Sequence, residues 1–372
     1  MKIEYFPSTE IEALEKQLSV FASDSKIQGI QLLACDANNY SPAKLDPVLR
    51  SVDKAIFGGI FPAVIFNKRK YDTGFVLAGF KTAPVINVLE NLSSPDIKMD
   101  EEIMKFAKLY AESKTLFIFV DGFSERINAF IESLFTIFGL QQNYLGGGAG
   151  SLSLQQKPCL LTNQGVKQDC AVLAGIPLES GIGVKHGWES ISGPYKVTLA
   201  EKTVIKELDF KPAFDIYREA VEKHSGKSFT PDNFFDIAKG YPFGINKIDA
   251  EKVVRDPLSV GKDHSLICVG EVEAGSFVDI LSGRNETLID AAAQAMQTAL
   301  LNKNGAPEHC IFFADCISRV LFLENDFNTE LEAVLSNYSE VPLYGALTIG
   351  EIANNGKEYL EFYNKTSVIG CF

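Results

Sequence analysis

The chain has 372 residues, of which 46% are hydrophobic and 22% are charged, as in a globular protein with material for a large core. A single hydrophobic core usually stops growing below this length, so two units of domain size are expected. The net charge of −13 and the lack of a dense basic stripe disfavour nucleic acid as a partner, because phosphate backbones are bound by Lys and Arg.

The amino-terminal segment, residues 1–17, predicts neither export nor membrane insertion. It lacks the uninterrupted apolar segment of a signal peptide and passes directly into a capped amphipathic helix. No stretch approaches the roughly 20 apolar residues that span a bilayer. Seven cysteines are spread from Cys35 to Cys371 without a CxxC pair, which is typical of free thiols in a reducing compartment. We therefore expect a cytoplasmic protein with no disulfide, no zinc site and no membrane partner.

Strand and helix signals alternate in the first half. The run TLFIFVD, residues 115–121, predicts a buried strand. The segment that follows predicts a helix entered through Ser124, because its apolar residues fall on one helical face. These residues are Ile127, Phe130, Ile131, Leu134, Phe135 and Phe138. The segment LGGGAG, residues 145–150, lacks the Lys-Ser/Thr of a phosphate-binding loop, and it therefore predicts a close-packed strand.

A domain boundary is predicted near Asp209, which gives an N-terminal domain of residues 1–209 and a C-terminal domain of residues 210–372. There the strand-like residues 196–208 are followed by a helix with Pro212 in its first turn. Residues 224–263 are polar and rich in Pro, Asp and Lys, which is typical of an excursion over the surface of the second unit. Within them, Thr230–Pro231 predicts the start of a short helix.

The second half repeats the order of the first at an offset of about two hundred residues. Each half contains a strand, a helix, a Gly-rich strand, a hairpin and a last apolar strand. Asn354–Gly356 predicts the turn of the second hairpin, because Asn-Gly tolerates positive φ angles. The fold class is therefore mixed α/β, of the α+β type, with two strand–helix–hairpin units whose mixed sheets are flanked by helices. The repeat is either a pseudo-symmetric duplication or a loose alignment of two common units.

Several motifs resemble those of the FIST family, with its N-terminal and C-terminal FIST domains. The segment HGW, residues 186–188, precedes a strand and a Pro-Ala helix at residues 207–217. The second half then carries CxxR at 316–319, GEI at 350–352 and YNKT at 363–366, in the family's order. The resemblance covers most of the chain from about Gln28 onward. In one departure, no cysteine stands in residues 57–66, where family members often carry a Gly-Cys-Ser/Thr segment.

This resemblance implies a sensory and signal-transduction module that binds a small ligand, such as an amino acid, in a pocket between its two halves. It also implies a histidine kinase or another signalling protein as the partner. Some family members bind haem and sense nitric oxide, so a haem sensor is the alternative. Its axial ligand would come from His186, His224, His264 or His309. No convincing catalytic constellation is present, and we expect no enzyme.

His186 and Trp188 are candidate ligand-binding residues at the junction between the halves. An indole ring gives a flat apolar wall with one N–H donor, and an imidazole accepts, donates or coordinates. The alternative is structural. In that interpretation Trp188 anchors the interface between the halves and His186 makes a structural hydrogen bond.

Cys316 and Arg319 follow a predicted strand and are candidates at a strand-to-helix turn, where α/β proteins often bind ligands. Arg319 is suited to a bidentate contact with a carboxylate. The alternative is an ion pair of Arg319 with Asp315 or Glu351, with Cys316 as a small buried hydrophobe. A thiol-dependent hydrolase using Cys316 is less favoured, since the thiol needs thiolate character and a base such as His186.

Thr348, Glu351 and Asn364 complete the candidate site. Glu351 follows Gly350 in a predicted strand, and small neighbours let the backbone approach a ligand there. Asn364 and Thr366 point to the same face of the adjoining strand. These side chains either face a pocket or form an exposed polar face.

Overall fold

A computed structural model of the chain describes residues 1–248, 250–303, 305, 307, 309–354 and 359–372. The predicted mixed α/β class is confirmed, because parallel and antiparallel strands share sheets that are flanked by helices. In the described part of the chain these strands form four sheets. Three of the sheets are built from three copies of one unit, which we call repeats 1, 2 and 3.

Each repeat consists of an edge strand, a helix, a strand, a second helical segment, a parallel strand, a hairpin and a returning strand. Repeat 1 contains β1 (Lys2–Phe6), α1 (Ile11–Ser23), β2 (Gly29–Cys35), α2 (Pro42–Ser51), β3 (Ala55–Phe61), the hairpin β4 (Ala63–Phe66) and β5 (Arg69–Tyr71), and β6 (Phe75–Phe80). Repeat 2 contains β7 (Val85–Glu90), α3 (Met99–Phe106), β8 (Thr115–Asp121), α4 (Ile127–Phe138), β9 (Asn143–Ala149), the hairpin β10 (Leu160–Thr162) and β11 (Gly165–Lys167), and β12 (Cys170–Ile176).

Repeat 3 begins with β13 (Gly181–Lys185) and is then interrupted by residues 186–284, which we call the insertion. The insertion forms the fourth sheet and has its own apolar core. Its elements are β14 (Glu189–Glu201), β15 (Val204–Leu208), β16 (Lys211–Pro212), α5 (Ala213–Ser225), α6 (Phe234–Ala238), β17 (Phe243–Ile245), β18 (Val253–Arg255), β19 (Pro257–Val260), β20 (Leu266–Cys268) and β21 (Phe277–Ser282).

Repeat 3 resumes after the insertion. Its remaining elements are α7 (Asn285–Lys303), β22 (Ile311–Cys316), α8 (Ile317–Leu323), α9 (Phe327–Val334), β23 (Leu343–Thr348), the hairpin β24 (Glu351–Ala353) and β25 (Glu361–Tyr363), and β26 (Ser367–Cys371). The predicted turn at 354–356 lies partly outside the described residues.

The hairpins are exchanged between repeats in a cycle. The β10–β11 hairpin of repeat 2 pairs with β3 of repeat 1, and the β24–β25 hairpin of repeat 3 pairs with β9 of repeat 2. The β4–β5 hairpin of repeat 1 closes the cycle by pairing with β23 of repeat 3. The sheet orders β1-β6-β2-β3-β10-β11, β7-β12-β8-β9-β24-β25 and β13-β26-β22-β23-β4-β5 are therefore the same. The arrangement is a pseudo-threefold one.

Aromatic side chains from all three repeats meet in one core. Phe117 of β8 lies with its ring centroid 5.7 Å from that of Phe57 in β3 and 5.2 Å from that of Phe312 in β22. All three side chains are fully buried. Burial of this kind is the main favourable term in folding, and it joins the repeats into one body.

One glycine recurs at the same register position of each repeat. Gly58, Gly146 and Gly345 pair across the parallel strands with Leu32, Ile118 and Phe313. A Cβ atom at these glycines would lie 1.9, 1.9 and 1.8 Å from the carbonyl oxygen of that partner. Only glycine fits such a close backbone approach. The predicted close-packed strand at residues 145–150 is β9, which spans Asn143–Ala149.

The two units predicted from the sequence are repeats 2 and 3, and a third unit, repeat 1, precedes them. The predicted strand TLFIFVD corresponds residue for residue to β8. The boundary at 209/210 stays a prediction. Strands from both sides of it share three of the four sheets, and residues 224–263 belong to the insertion.

Two predicted helix starts are wrong. Helix α4 begins at Ile127 rather than through Ser124, whose hydroxyl instead donates to Asp169 Oδ1 at 2.8 Å. Helix α6 begins at Phe234, three residues beyond the predicted Thr230–Pro231. In both cases a polar contact competes with helix capping, through a residue distant in sequence at Ser124 and through a local one at Thr230. The backbone N–H of Thr230, for example, donates to Asn233 Oδ1 at 2.7 Å.

Candidate functional site

The seven residues singled out in the sequence gather in the interior, where repeat 3 meets the insertion. Their exposed fractions do not exceed 6%. They are His186, Trp188, Cys316, Arg319, Thr348, Glu351 and Asn364. We call this group the buried cluster.

Arg319 is held by acidic and backbone partners at the centre of the buried cluster. Its Nε donates to Asp315 Oδ1 at 3.0 Å, and its Nη2 forms a short ion pair with Glu330. Its Nη1 donates to the carbonyl oxygen of His186 at 2.6 Å, and Nη2 also reaches that of Leu288 at 3.1 Å. The guanidinium is therefore saturated by the protein, which matches the ion-pair alternative.

The two carboxyl groups beside Arg319 hold protons more tightly than usual. Burial raises the pKa of Asp315 well above its ordinary range, and the neighbouring Glu330 raises it further. Burial also raises the pKa of Glu330. Ser367 donates its hydroxyl to Asp315 Oδ1 at 2.9 Å. One cation facing two buried carboxyl groups favours retention of a proton on the pair.

Burial also raises the pKa values of Glu351 and Cys316. Burial raises the pKa of Glu351 well above its ordinary range, although Thr348 Oγ1 lies 2.8 Å from Oε1 and the backbone N–H of Thr366 donates to Oε2 at 3.3 Å. Burial and the charge of Glu351 raise the pKa of the Cys316 thiol far above neutrality. A thiol of this kind is a poor nucleophile, so the hydrolase alternative has no support from the geometry.

His186 and Trp188 fasten the start of the insertion to repeat 3. His186 Nδ1 accepts the backbone N–H of Trp188 at 2.9 Å, which leaves the ring proton on Nε2, 3.5 Å from Glu251 Oε1. Burial lowers the pKa of His186 to about 4. The Trp188 indole donates to the carbonyl oxygen of Lys365 at 3.1 Å, and the Lys365 ammonium lies 4.7 Å from the ring centroid.

The buried cluster does not line any of the three clefts described below. Its polar atoms are engaged by the protein, so direct contact of these seven residues with a ligand stays a prediction without support from the geometry. The first cleft, of about 1080 Å³, runs along the edge strand β7. The second, of about 520 Å³, lies between α6, α8 and the β4–β5 hairpin, and includes Lys70, Phe235, Lys239 and Leu321.

The third cleft, of about 860 Å³, opens between helix α4, the β25 region and the insertion, and we call it the insertion cleft. It lies beside the buried cluster, because Asn364 Oδ1 accepts a hydrogen bond from Arg255 of its lining at 3.1 Å. Its described lining comprises Asn128, Ile131, Glu132, Phe135, Thr136, Ile245, Asn246, Lys247, Ile248, Ala250, Glu251, Val253, Arg255, Glu271, Glu273, Ser276, Tyr359, Leu360, Glu361, Phe362 and Tyr363.

Arg255 is the buried cation of the insertion cleft, with an exposed fraction of 3%. Its Nε donates to the carbonyl oxygen of Glu271 at 3.0 Å, and its Nη1 reaches those of Val254 and Phe362 at 3.0 and 3.1 Å. Among the described residues, no carboxylate oxygen lies within 4.0 Å of its guanidinium and Nη2 has no hydrogen-bond partner. Burial lowers the pKa of Arg255 to about 10.

Carboxylates stand along the same cleft. The pKa of Glu132 is raised by burial and then by the charges of Glu273, Glu271 and Glu361. Glu361 pairs with Lys247 at 2.5 Å. Neighbouring carboxylates of like charge repel one another. The cleft thus holds an excess of negative charge next to the buried cation Arg255.

Sequence reasoning missed Arg255 because residues 224–263 were interpreted as a surface excursion. One signal was present. Arg255 follows Val253 and Val254 in the run VVRDP, and a charged residue at the end of a β-branched run often marks a strand that delivers a polar group into a site.

The four histidines named as candidate haem ligands lie outside the three clefts. His186 is buried with Nδ1 bonded to the backbone, His224 Nδ1 lies 3.2 Å from the Tyr241 hydroxyl, and His264 Nδ1 lies 2.9 Å from Asp215. The backbone N–H of His309 donates to the carbonyl oxygen of Phe372. Because His224 and His264 are exposed, the haem alternative stays a prediction.

Among the described residues there is neither a metal-binding group nor a membrane-spanning helix. No group of three or more His, Cys, Asp or Glu side chains is placed to hold a metal ion. No helix there has the length and apolar character needed to cross a membrane.

Comparison with known protein families gives two matches. Residues 32–211 match the profile of the FIST N domain, and residues 213–354 match that of the FIST C domain. The matches therefore begin within β2 of repeat 1, include repeat 2 and nearly all of the insertion, and end just after β24 of repeat 3. No curated protein matches the chain.

Proposed function

The chain belongs to the FIST family of signal-transduction sensory domains, and from this premise we propose that it binds a small carboxylate ligand such as an amino acid through Arg255 in the insertion cleft. The family's role supports sensing. The insertion cleft, rather than the buried cluster, supplies the space, since a cavity of 300–1,000 Å³ is typical of sites for small molecules.

The observation that carries this proposal is the unpaired state of Arg255. Removing an ion from water costs several kcal/mol, and proteins usually offset that cost with an opposite charge. Arg255 donates hydrogen bonds only to carbonyl and amide oxygens of the described residues. Burial lowers its pKa, and Glu361 and Glu271 raise it without forming an ion-pair contact. A ligand carboxylate is the group that its planar fork binds most strongly.

Asn364 has a supporting role in this proposal. Its Oδ1 accepts from Arg255 Nη1 at 3.1 Å, so it fixes the guanidinium plane while leaving Nη2 for the ligand. Gly270 has a similar effect, because a Cβ atom there would lie 2.7 Å from Arg255 Nε. The predicted residue Asn364 thus acts through Arg255 and does not itself touch the ligand.

The position of the cleft suits a sensor. Its walls come from repeat 2, from the exchanged hairpin of repeat 3 and from the insertion. A ligand shifts a conformational equilibrium only by its differential affinity for two states, and a ligand that contacts all three walls favours their closed arrangement. A signalling protein such as a histidine kinase is the partner that we expect to respond to this change.

We also propose a binding role without catalysis, in the cytoplasm. No cysteine or histidine stands in the described lining of the cleft, so this lining offers neither a thiol nucleophile nor a histidine base. All seven cysteines are buried thiols, as expected in a reducing compartment.

A thermal-shift survey tests the proposal. The full chain is heated with each proteinogenic amino acid and with small organic acids, and at a concentration one hundred times Kd the ligand adds about 2.7 kcal/mol to the apparent stability. Arg255→Lys keeps the charge but loses the Nη2 group that is left for the ligand, so we expect at least a tenfold weaker Kd, which corresponds to about 1.4 kcal/mol.

Arg218→Lys is the matched control, because Arg218 is exposed on α5 and pairs with Asp215 at 3.2 Å. It should leave the ligand response unchanged. A flat response of the unaltered protein across the whole panel would refute the proposal, as would an equal response in the Arg255→Lys variant.

A further inference from the structure

The insertion cleft carries more negative than positive charge. Its described lining contains five glutamates and two basic residues. Glu251 is neutralised by Lys185 at 2.6 Å, and Glu361 by Lys247 at 2.5 Å. No cation pairs with Glu132, Glu271 or Glu273 among the residues that the structure describes, and Glu271 receives only a long hydrogen bond of 3.4 Å from Asn128.

Charged groups of both signs that lack an ion-pair partner therefore line one cavity. At one place a guanidinium that is 97% buried lacks a carboxylate, since its exposed fraction is 3%. At another, three carboxylates have no ion-pair partner among the described residues, and, besides burial, the charges of Glu273 and Glu271 raise the pKa of Glu132. Neither feature stabilises the empty protein, and a single ligand with both charges relieves them together.

Aromatic rings stand beside the carboxylates. Phe135 of α4 and Tyr359 both line the cleft, and their ring centroids are 5.2 Å apart. Tyr359 is 71% exposed although it is large and partly apolar. A cation between a carboxylate group and aromatic faces gains from both the charges and the ring quadrupoles.

We infer that the ligand is a basic amino acid, with its α-carboxylate on Arg255 and its cationic side chain among Glu132, Glu271 and Glu273. This inference rests on the proposed function and narrows its ligand class. A neutral amino acid brings only one positive charge, its α-ammonium group, to a cleft with three unpaired carboxylates, and a simple amine leaves Arg255 without a carboxylate. Only a ligand with a carboxylate and an additional positive charge satisfies both.

Isothermal titration of the full chain with matched ligands tests the inference. L-arginine is compared with L-citrulline, which has the same length and shape but a neutral ureido group, and with agmatine, which lacks the carboxylate. We expect arginine to bind at least ten times more tightly than either analogue. A tenfold change corresponds to about 1.4 kcal/mol, which is a typical value for one charge-assisted contact.

The double variant Glu132→Gln/Glu273→Gln assigns the effect to the cleft. It should bring the ratio of arginine to citrulline affinity close to one, while citrulline binding stays within a factor of two or so, since the amide keeps the shape of the carboxyl group. Glu12→Gln is the control, because Glu12 is an exposed acid on α1 of repeat 1. It should leave the ratio unchanged.

The outcomes separate this inference from the proposed function. If citrulline binds as tightly as arginine and Arg255→Lys weakens both, the ligand is an amino acid of another class and the present inference is overturned while the proposed function holds. If agmatine binds as tightly as arginine, the carboxylate contact fails and both are overturned. Absence of binding by any amino acid also overturns both.

Discussion

Arg319 and Arg255 are both buried guanidinium groups, but they have different surroundings. Arg319 was selected from the sequence for its place after a strand, and the structure gives it Asp315, Glu330 and two carbonyl oxygens. Arg255 has no acidic partner in the described chain. The difference depends on Glu330, which lies in helix α9, and the sequence does not indicate that this helix turns an acid toward Arg319.

A pH-dependent loss of stability is expected from His186. Burial lowers its pKa to about 4 in the folded protein, whereas an unfolded histidine titrates near 6.5. The unfolded state therefore takes up the proton first as the pH falls. The stability contributed by neutral His186 is complete above about pH 6.5 and decreases toward pH 4, by about 3 kcal/mol.

Urea denaturation between pH 7 and pH 4 measures this effect as a difference between the unaltered protein and His186→Gln. The difference cancels the contributions of Asp315, Glu330 and Glu351, which titrate in both proteins. Its expected sign is a growing relative advantage of the variant at acid pH. Parallel stability curves would show that His186 is not held neutral by burial.

At the scale of elements, an apolar run predicted the buried strand β8, whereas contacts between residues distant in sequence set features that the local pattern did not predict. Strand β8 was predicted to the residue because its apolar run is unbroken. The start of α4 was misplaced because Asp169, distant in sequence, takes the hydroxyl of Ser124. Repeat 1 escaped detection since its similarity to the others lies in register and strand order, which only pairing reveals.

The glycine that recurs in each repeat lies, in repeat 2, within the Gly-rich segment from which the sequence predicted a close-packed strand. Gly146→Ala should destabilise the protein by about 2–4 kcal/mol, because the new Cβ would meet Ile118 O at 1.9 Å and the φ angle of +153° disfavours alanine. Gly240→Ala is the control, since the nearest atom to its Cβ would be a ring carbon of Phe322 at 3.5 Å. It should change the stability by less than about 0.5 kcal/mol.

Both variants are compared by thermal and urea denaturation. Equal stability of Gly146→Ala and Gly240→Ala would contradict the close backbone approach between β8 and β9. The same substitution at Gly58 or Gly345 should have an effect of similar size, because these positions are equivalent in the other two repeats.

For the whole molecule, the cyclic exchange of hairpins determines how the protein holds together. Every repeat completes the sheet of another, and Phe57, Phe117 and Phe312 bring the three repeats to one core. A two-domain division at residue 209 was the natural expectation from length. That division could not anticipate the exchange of hairpins between repeats. The local sequence pattern of a hairpin does not reveal whether it pairs with its own repeat or with another one.

The exchange predicts that repeats 1 and 3 unfold together. Trp188, the single tryptophan, reports on the junction of the insertion with repeat 3, and the amide groups of β2 report on repeat 1. In a urea series, the loss of Trp188 fluorescence and the loss of amide protection in β2 should share one midpoint, as in a two-state transition. Loss of repeat 1 removes the β4–β5 hairpin from the sheet of repeat 3, so neither repeat keeps its pairing alone.

Independent domains of residues 1–209 and 210–372 would instead give two midpoints, with protection in β2 lost at a different urea concentration from the fluorescence change. Addition of a ligand that binds the insertion cleft provides a second way to distinguish one cooperative body from two independent domains. In a single cooperative body it raises both midpoints equally, because repeat 2, which supplies helix α4 to the cleft, also gives its β10–β11 hairpin to repeat 1. Ligand binding would then stabilise β2 although no residue of repeat 1 lines the cleft.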